Sequence, residues 1–161
     1  MNRDDESYIH FQECITSLGR AWRTIRELED ADNAPPVIWQ AAYQMALIDY
    51  AKPYKESRGA NRRSHRLRFP ASLSNTDEAL HHKLLKLRDE FLAHSDLTIK
   101  DAKVHVVKVA GQVLPLISSN TDPELPKAKI VRELVERTLL ALDKEHPGYL
   151  KQFEEDMGAE D

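Results

Sequence analysis

The chain has 161 residues, a formal net charge of −4, 31% charged and 41% hydrophobic residues, and one cysteine, Cys14. That length suits one domain of roughly 100–200 residues, a charge content above the usual ~25% demands helices apolar on one side only, and a lone cysteine excludes an internal disulfide or a cysteine-built zinc site. No apolar run reaches the ~18 residues of a membrane span, and the start Met1-Asn2-Arg3-Asp4-Asp5-Glu6-Ser7 lacks the basic-then-apolar pattern of a signal peptide, so a cytoplasmic chain without membrane contact is expected.

Tyr8, Phe11, Ile15, Leu18, Trp22 and Ile25 fall at alternating spacings of three and four, which only a helix presents as one stripe. The spacing predicts a helix over about 8–30, with Ser7 as its N-cap. Pro35 and Pro36 suit the start of a second helix. The run Val37, Ile38, Trp39, Ala41, Ala42, Tyr43, then Met45, Ala46, Leu47, Ile48, Tyr50 and Ala51 is apolar most of the way round, which places this helix at the centre of the fold or at an oligomer contact. Pro53 should kink or end it.

From Glu56 to Pro70 no apolar period exists, and an exposed loop is expected, part of a flexible basic stretch over 56–74. Ser74-Asn75-Thr76-Asp77-Glu78 supplies a cap and first-turn acids for a third helix over about 77–94, with Leu80, Leu84, Leu87 and Phe91 as its stripe. The β-branched Lys103-Val-His-Val-Val-Lys-Val109, Gly111 and Val113-Leu114-Pro115-Leu116-Ile117 predict a small β-hairpin or irregular insert near 99–117. Ile130, Leu134, Val135, Thr138, Leu139 and Leu142 stripe a fourth helix over about 124–145. Tyr149, Leu150 and Phe153 allow a last turn or two. The expected fold is all-α: an up-and-down bundle of four to five helices in one domain over 1–156, with a disordered acidic tail at 157–161.

Positive charge is clustered. Lys52, Lys55, Arg58, Arg62, Arg63, Arg66 and Arg68 face Glu56 alone over residues 50–68, whereas Asp4, Asp5 and Glu6 open the chain and Glu154, Glu155, Asp156, Glu160 and Asp161 close it. Arg58, Arg62, Arg63, Arg66 and Arg68, with His65 and Phe69, are a candidate surface for an RNA backbone, Phe69 being available for base stacking. The alternative is a solvated connection, or an arm for the acidic tail of a neighbour. No DNA partner is expected.

Glu78-x-x-His81 has the spacing of di-iron bundles but no second copy accompanies it, so no metal is expected; Gly59, Gly111 and Gly148 build no phosphate loop, so no cofactor is expected either. Cys14, beside the first stripe, reads as a buried thiol.

At the end of the third helix Leu87-Arg88-Asp89-Glu90-Phe91-Leu92-Ala93-His94-Ser95-Asp96 brings a cation, a carboxylate and an imidazole together. Arg88 and His94 stand about 120° apart around a continuing helix, yet a long arginine can still meet the imidazole on one phosphate. Histidine takes and gives a proton near neutrality, and the guanidinium fork grips phosphate. The pattern Arg88-Asp89-x4-His94 resembles the motif of the HEPN superfamily, and Phe91-Leu92-Ala93-His94-Ser95-Asp96 looks like the form found in its members related to abortive-infection systems. The resemblance covers residues 84–97 and, beyond them, only the architecture.

It implies an all-α bundle, often a homodimer whose motifs face one another across a cleft, and in active members metal-independent RNA cleavage by attack of the ribose 2′-hydroxyl on the adjacent phosphate. His94 would then move the proton, Arg88 would hold the phosphate and Asp89 would orient one of them. By the same analogy a toxin would have an antitoxin partner. Two expectations of different class follow: a HEPN-like endoribonuclease of toxin or phage-defence type, or a non-catalytic HEPN-like module that binds a protein or RNA and uses Arg88, Asp89 and His94 structurally.

Overall fold

A computed structural model describes residues 3–31, 33–59, 63–92, 103–109, 112–118 and 124–147. Its first element, α1 (Arg3–Glu29), buries the predicted stripe, with Cys14, Leu18, Ala21 and Ile25 deepest and Phe11, Ile15 and Trp22 packed beside them. The helix starts earlier than predicted. Ser7 lies inside it and not at its cap, because the helix extends back to Arg3, with the Asp5 carboxylate favourable in its first turn at the positive end of the helix dipole.

Helix α2 (Pro36–Ala51) begins at its proline pair as expected and passes into a 3₁₀ turn, Lys52–Tyr54, at Pro53. It runs antiparallel to α1: Trp39 Nε1 donates to the Leu28 carbonyl at 3.1 Å near one end, and Ser17 Oγ donates to the Asp49 carbonyl at 3.0 Å near the other. Only one face is covered, by Tyr43, Ala46, Leu47, Tyr50 and Ala51. Val37, Ile38 and Met45 are 76%, 61% and 58% exposed, so α2 is not the central helix. That place belongs to α1, which packs against α2 on one side and α4 (Ala128–Glu145) on the other.

Helix α4 buries Val131, Leu134, Val135, Thr138, Ala141 and Leu142 and leaves Ile130 exposed. Two polar ties hold it antiparallel to α1: Trp22 Nε1 donates to Glu136 Oε1 at 2.8 Å and Arg132 Nε donates to Glu29 Oε2 at 2.5 Å, while Arg132 Nη1 also donates to Glu136 Oε1 at 2.5 Å within α4. Helix α3 (Asn75–Leu87) starts from a capping box in which Ser74 Oγ accepts from the Asp77 backbone N–H and the Asp77 carboxylate accepts from the Ser74 N–H. It buries Leu84, Leu85 and Leu87 and widens into a π-helical turn, Arg88–Leu92.

The described residues of 56–70 are mostly exposed but are not a plain loop. Ser57–Arg58 (β1) and Ser64–His65 (β2) pair antiparallel, and beyond them the chain is extended, with Leu67 and Pro70 buried and Phe69 half-buried. The alternation of apolar Leu67 and Phe69 with Arg66 and Arg68 is a strand-like period of two, too short to stand out in the sequence. The predicted hairpin is present as β3 (Lys103–Val109) and β4 (Gln112–Ser118), antiparallel with Val104 opposite Ile117 and Val107 opposite Leu114. The described residues are thus mostly helical, with four α-helices and two small antiparallel hairpins, and none of the helices is long and apolar enough to cross a membrane. The predicted last turn near 149–156 and the acidic tail lie outside the described residues.

Candidate functional site

Leu84, Leu85 and Leu87 anchor the end of α3 in the core, and this fixes where the next two residues stand. Arg88 closes the helix, its backbone N–H donating to the carbonyls of Leu84 and Leu85, and its side chain is 27% exposed. Arg88 Nη1 donates to Asp89 Oδ1 at 3.0 Å; the other carboxylate oxygen, Oδ2, accepts from Lys55 Nζ at the end of the 3₁₀ turn. Burial alone would raise the Asp89 pKa, but the hydrogen bonds from Lys55 and Arg88 outweigh it and hold the carboxyl below its usual range. Asp89 is therefore a charged carboxylate shared between two cations, and the group of three carries a net positive charge. Arg88 Nε is buried and has no hydrogen-bond partner among the described residues. His94, the third member of the motif, lies outside the described residues.

The arginines of the basic segment do not act as one set. Arg58, Arg66 and Arg68 are exposed, Arg63 turns its Nη1 to within 3.8 Å of Glu6 Oε2, and Arg62 lies outside the described residues. Glu6 is the hinge of this region. Only 5% exposed, it reaches from α1 into the β1–β2 hairpin, where His65 Nε2 donates to its Oε1 at 2.8 Å. Gly59 makes the approach feasible, because a Cβ there would overlap the Glu6 carboxylate and stand 2.9 Å from His65 Nε2. His10, one turn on from Glu6, lies beside His65 with ring centroids 5.1 Å apart, and the Cys14 sulfur is 3.7 Å from His10 Nε2. Burial pushes the Cys14 thiol up to about 11, so it is protonated and unreactive near neutrality. Between this end of α1, the segment after β2 and the end of α4 lies a cleft of about 440 Å³.

Comparison with protein-family models, curated proteins and solved structures finds no match to this chain.

A third polar group is internal. The Tyr50 hydroxyl and His81 Nδ1 are hydrogen-bonded at 2.9 Å, with Phe69 stacked on the imidazole at 4.3 Å and Tyr54 edge-on at 4.4 Å. Burial, with His82 and Arg66 nearby, lowers the His81 pKa to about 4, so its ring is neutral. Glu78 and His81 do not converge as metal ligands would: Glu78 is exposed and pairs with His82 at 3.7 Å, while His81 points into the core. Among the described residues no group of three or more His, Cys, Asp or Glu side chains is placed to hold a metal ion.

Sequence reasoning located Arg88, Asp89 and the arginines but missed Lys55 as the partner of Asp89, missed Glu6 and His10 beside the basic segment, and missed His146, which lines the same cleft from the end of α4. The Lys55 contact spans 34 residues and leaves no local trace. Glu6, His10 and Cys14 recur every four residues along one side of α1, which is a signal the sequence does contain.

Proposed function

We propose that the chain is a HEPN-like, metal-independent endoribonuclease of toxin or phage-defence type, built as an up-and-down helical bundle with its site at the end of α3. The observation that supports this reading is the Arg88–Asp89–Lys55 group. Two cations on one carboxylate at a half-exposed helix end leave excess positive charge where a phosphate would bind, on the π-helical geometry often found at functional sites.

Arg88 grips the scissile phosphate, its orientation set by Asp89, and Lys55 holds Asp89 in place. His94 accepts the proton of the ribose 2′-hydroxyl as that oxygen attacks the adjacent phosphorus. The 5′-oxygen departs with a proton returned by the imidazolium, leaving a 2′,3′-cyclic phosphate. Asp89, kept ionised, serves to orient and not to donate. The same proposal includes a homodimer, an antitoxin partner and RNA contacts from Arg58, Arg62, Arg63, Arg66 and Arg68. The exposed Val37, Ile38 and Met45 of α2, and Val104, Val106 and Leu116 of the β3–β4 hairpin, are apolar surface of the kind partner contacts use.

The test is incubation of labelled RNA with the protein in excess EDTA, beside folded Arg88→Ala and His94→Ala variants. Cleavage to cyclic-phosphate ends by the wild type, falling by about 10²-fold or more in each variant, is the expected result. A second reading is favoured by the pairing of both cations with Asp89: a non-catalytic HEPN-like module in which these residues brace the helix end. Equal RNA turnover by all three proteins, or none, selects that module.

A further inference from the structure

The cleft between α1, the segment following β2 and α4 lies apart from the Arg88–Asp89 group, neither of which lines it. Its walls carry imidazoles from His10, His65 and His146 and guanidiniums from Arg66 and Arg68, against Glu145 as the one carboxylate among the lining residues. Glu145 Oε1 already accepts from Ser72 Oγ at 2.9 Å. Ser7 and Ser64 add hydroxyls, and Phe11 and Phe69 add apolar wall. At about 440 Å³ the space falls within the roughly 300–1,000 Å³ of small-molecule sites, too large for an inorganic anion to fill.

The site is also held in shape before any ligand arrives. The buried Glu6 carboxylate fixes His65 at 2.8 Å, the Leu67 backbone N–H donates to the Pro53 carbonyl at 2.9 Å, and Phe69 stacks on His81. Leu67 and Phe69 are thus pinned, and Arg66 and Arg68, which alternate with them, are presented together on the exposed face of the same segment. Donors preorganised around one opening, cationic and neutral together, match the acceptor oxygens of a phosphate, and the phenyl groups match the flat apolar body of a nucleobase.

We propose that this cleft binds a nucleotide, with its phosphate among Arg66, Arg68 and the three histidines and its base toward Phe11 and Phe69. The nucleotide is either a free mononucleotide or one residue of an RNA strand. No glycine-rich loop is involved; side chains from three separate segments supply every contact.

The test is calorimetric titration of the full chain with adenosine monophosphate, with adenosine, and with a short single-stranded RNA. Adenosine monophosphate should saturate the protein and adenosine should not. The double variant Arg66→Gln/Arg68→Gln, whose side chains are exposed and leave the fold intact, should weaken binding about tenfold or more, while Arg23→Gln on the far part of α1 should leave it unchanged. Adenosine monophosphate carries no internucleotide bond to cleave, so its binding is read apart from RNA cleavage; the strand as source rests on the RNA contacts already proposed for Arg66 and Arg68. If RNA binds more tightly than adenosine monophosphate and is displaced by it, the strand is the source; equal affinity identifies the free nucleotide. Absence of binding at millimolar nucleotide, equal affinity for adenosine, or undiminished affinity in the double variant would each overturn the proposal.

Discussion

Two carboxylates, the half-buried Asp89 and the buried Glu6, each gather two basic side chains. Asp89 takes Arg88 on one oxygen and Lys55 on the other, and Glu6 takes His65 on one oxygen with Arg63 near the second. In each case a local motif residue is positioned by a partner from another part of the chain. Arg88 and Asp89 were legible in the sequence because they are adjacent and lie in a recognisable pattern; Glu6 was read only as part of an acidic start. Its burial depends on Gly59, since any side chain there competes with the carboxylate for the same space. Gly59→Ala should push Glu6 off His65 and lower stability by about 1–3 kcal/mol, the cost of a broken buried hydrogen bond to a charged group. Chemical denaturation with Gly59→Ala beside Ala71→Gly as an exposed control measures it, and an unchanged midpoint would show that Glu6 relaxes freely.

Among the elements, α3 is the one whose start the chain specifies most directly. Ser74 and Asp77 satisfy each other's backbone N–H groups, and Asp77 Oδ1 also accepts from Arg137 Nη2 of α4 at 2.6 Å, so the cap both starts the helix and docks it. Ser74→Ala should cost about 1 kcal/mol through the lost cap, read from thermal or denaturant unfolding. Asp77→Ala should cost more, because it removes the tie to α4 as well. Helix α2 shows the opposite case. Its apolar residues run most of the way round in the sequence, which placed it at the centre of the fold or at an oligomer contact. Tertiary packing covers one face only, since α1 has two long neighbours and α2 is left with its Val37, Ile38 and Met45 side open. Composition reports how much apolar surface a helix has, not which neighbour arrives to cover it.

At the scale of the whole molecule, His81 joins α2, the 3₁₀ turn, the segment after β2 and α3 through Tyr50, Tyr54 and Phe69. Its folded-state pKa of about 4 lies below the ordinary 6.5. The unfolded chain therefore binds a proton that the folded one refuses between those values, and stability is lost as pH falls through that window, by about 3 kcal/mol at its lower end. His10, lowered by burial and by the neighbouring His65, adds a loss of the same sign. Below the ordinary carboxylate value of 3.8, Asp77 joins them: burial opposes its charge, but Arg137 and Ser74 hold its pKa down, so stability falls further as it is protonated. Denaturant unfolding from pH 7 to pH 4 should show this decline, and His81→Gln, which keeps an acceptor for Tyr50, should flatten most of it. A slope as steep in His81→Gln as in the wild type would assign the acid sensitivity to other groups.

The sequence by itself determined the four main helices, a β-branched insert after the third and the adjacency of Arg88 with Asp89, because helical periodicity, capping pairs, β-branched runs and neighbouring residues are local properties of the chain. Only the tertiary structure decided that α1 is central, that Lys55 completes the Asp89 group, and that Glu6, His10 and His146 meet the basic segment around one cleft. Those outcomes depend on contacts between residues tens of positions apart, whose geometry is set by how whole helix faces pack and not by any spacing along the chain.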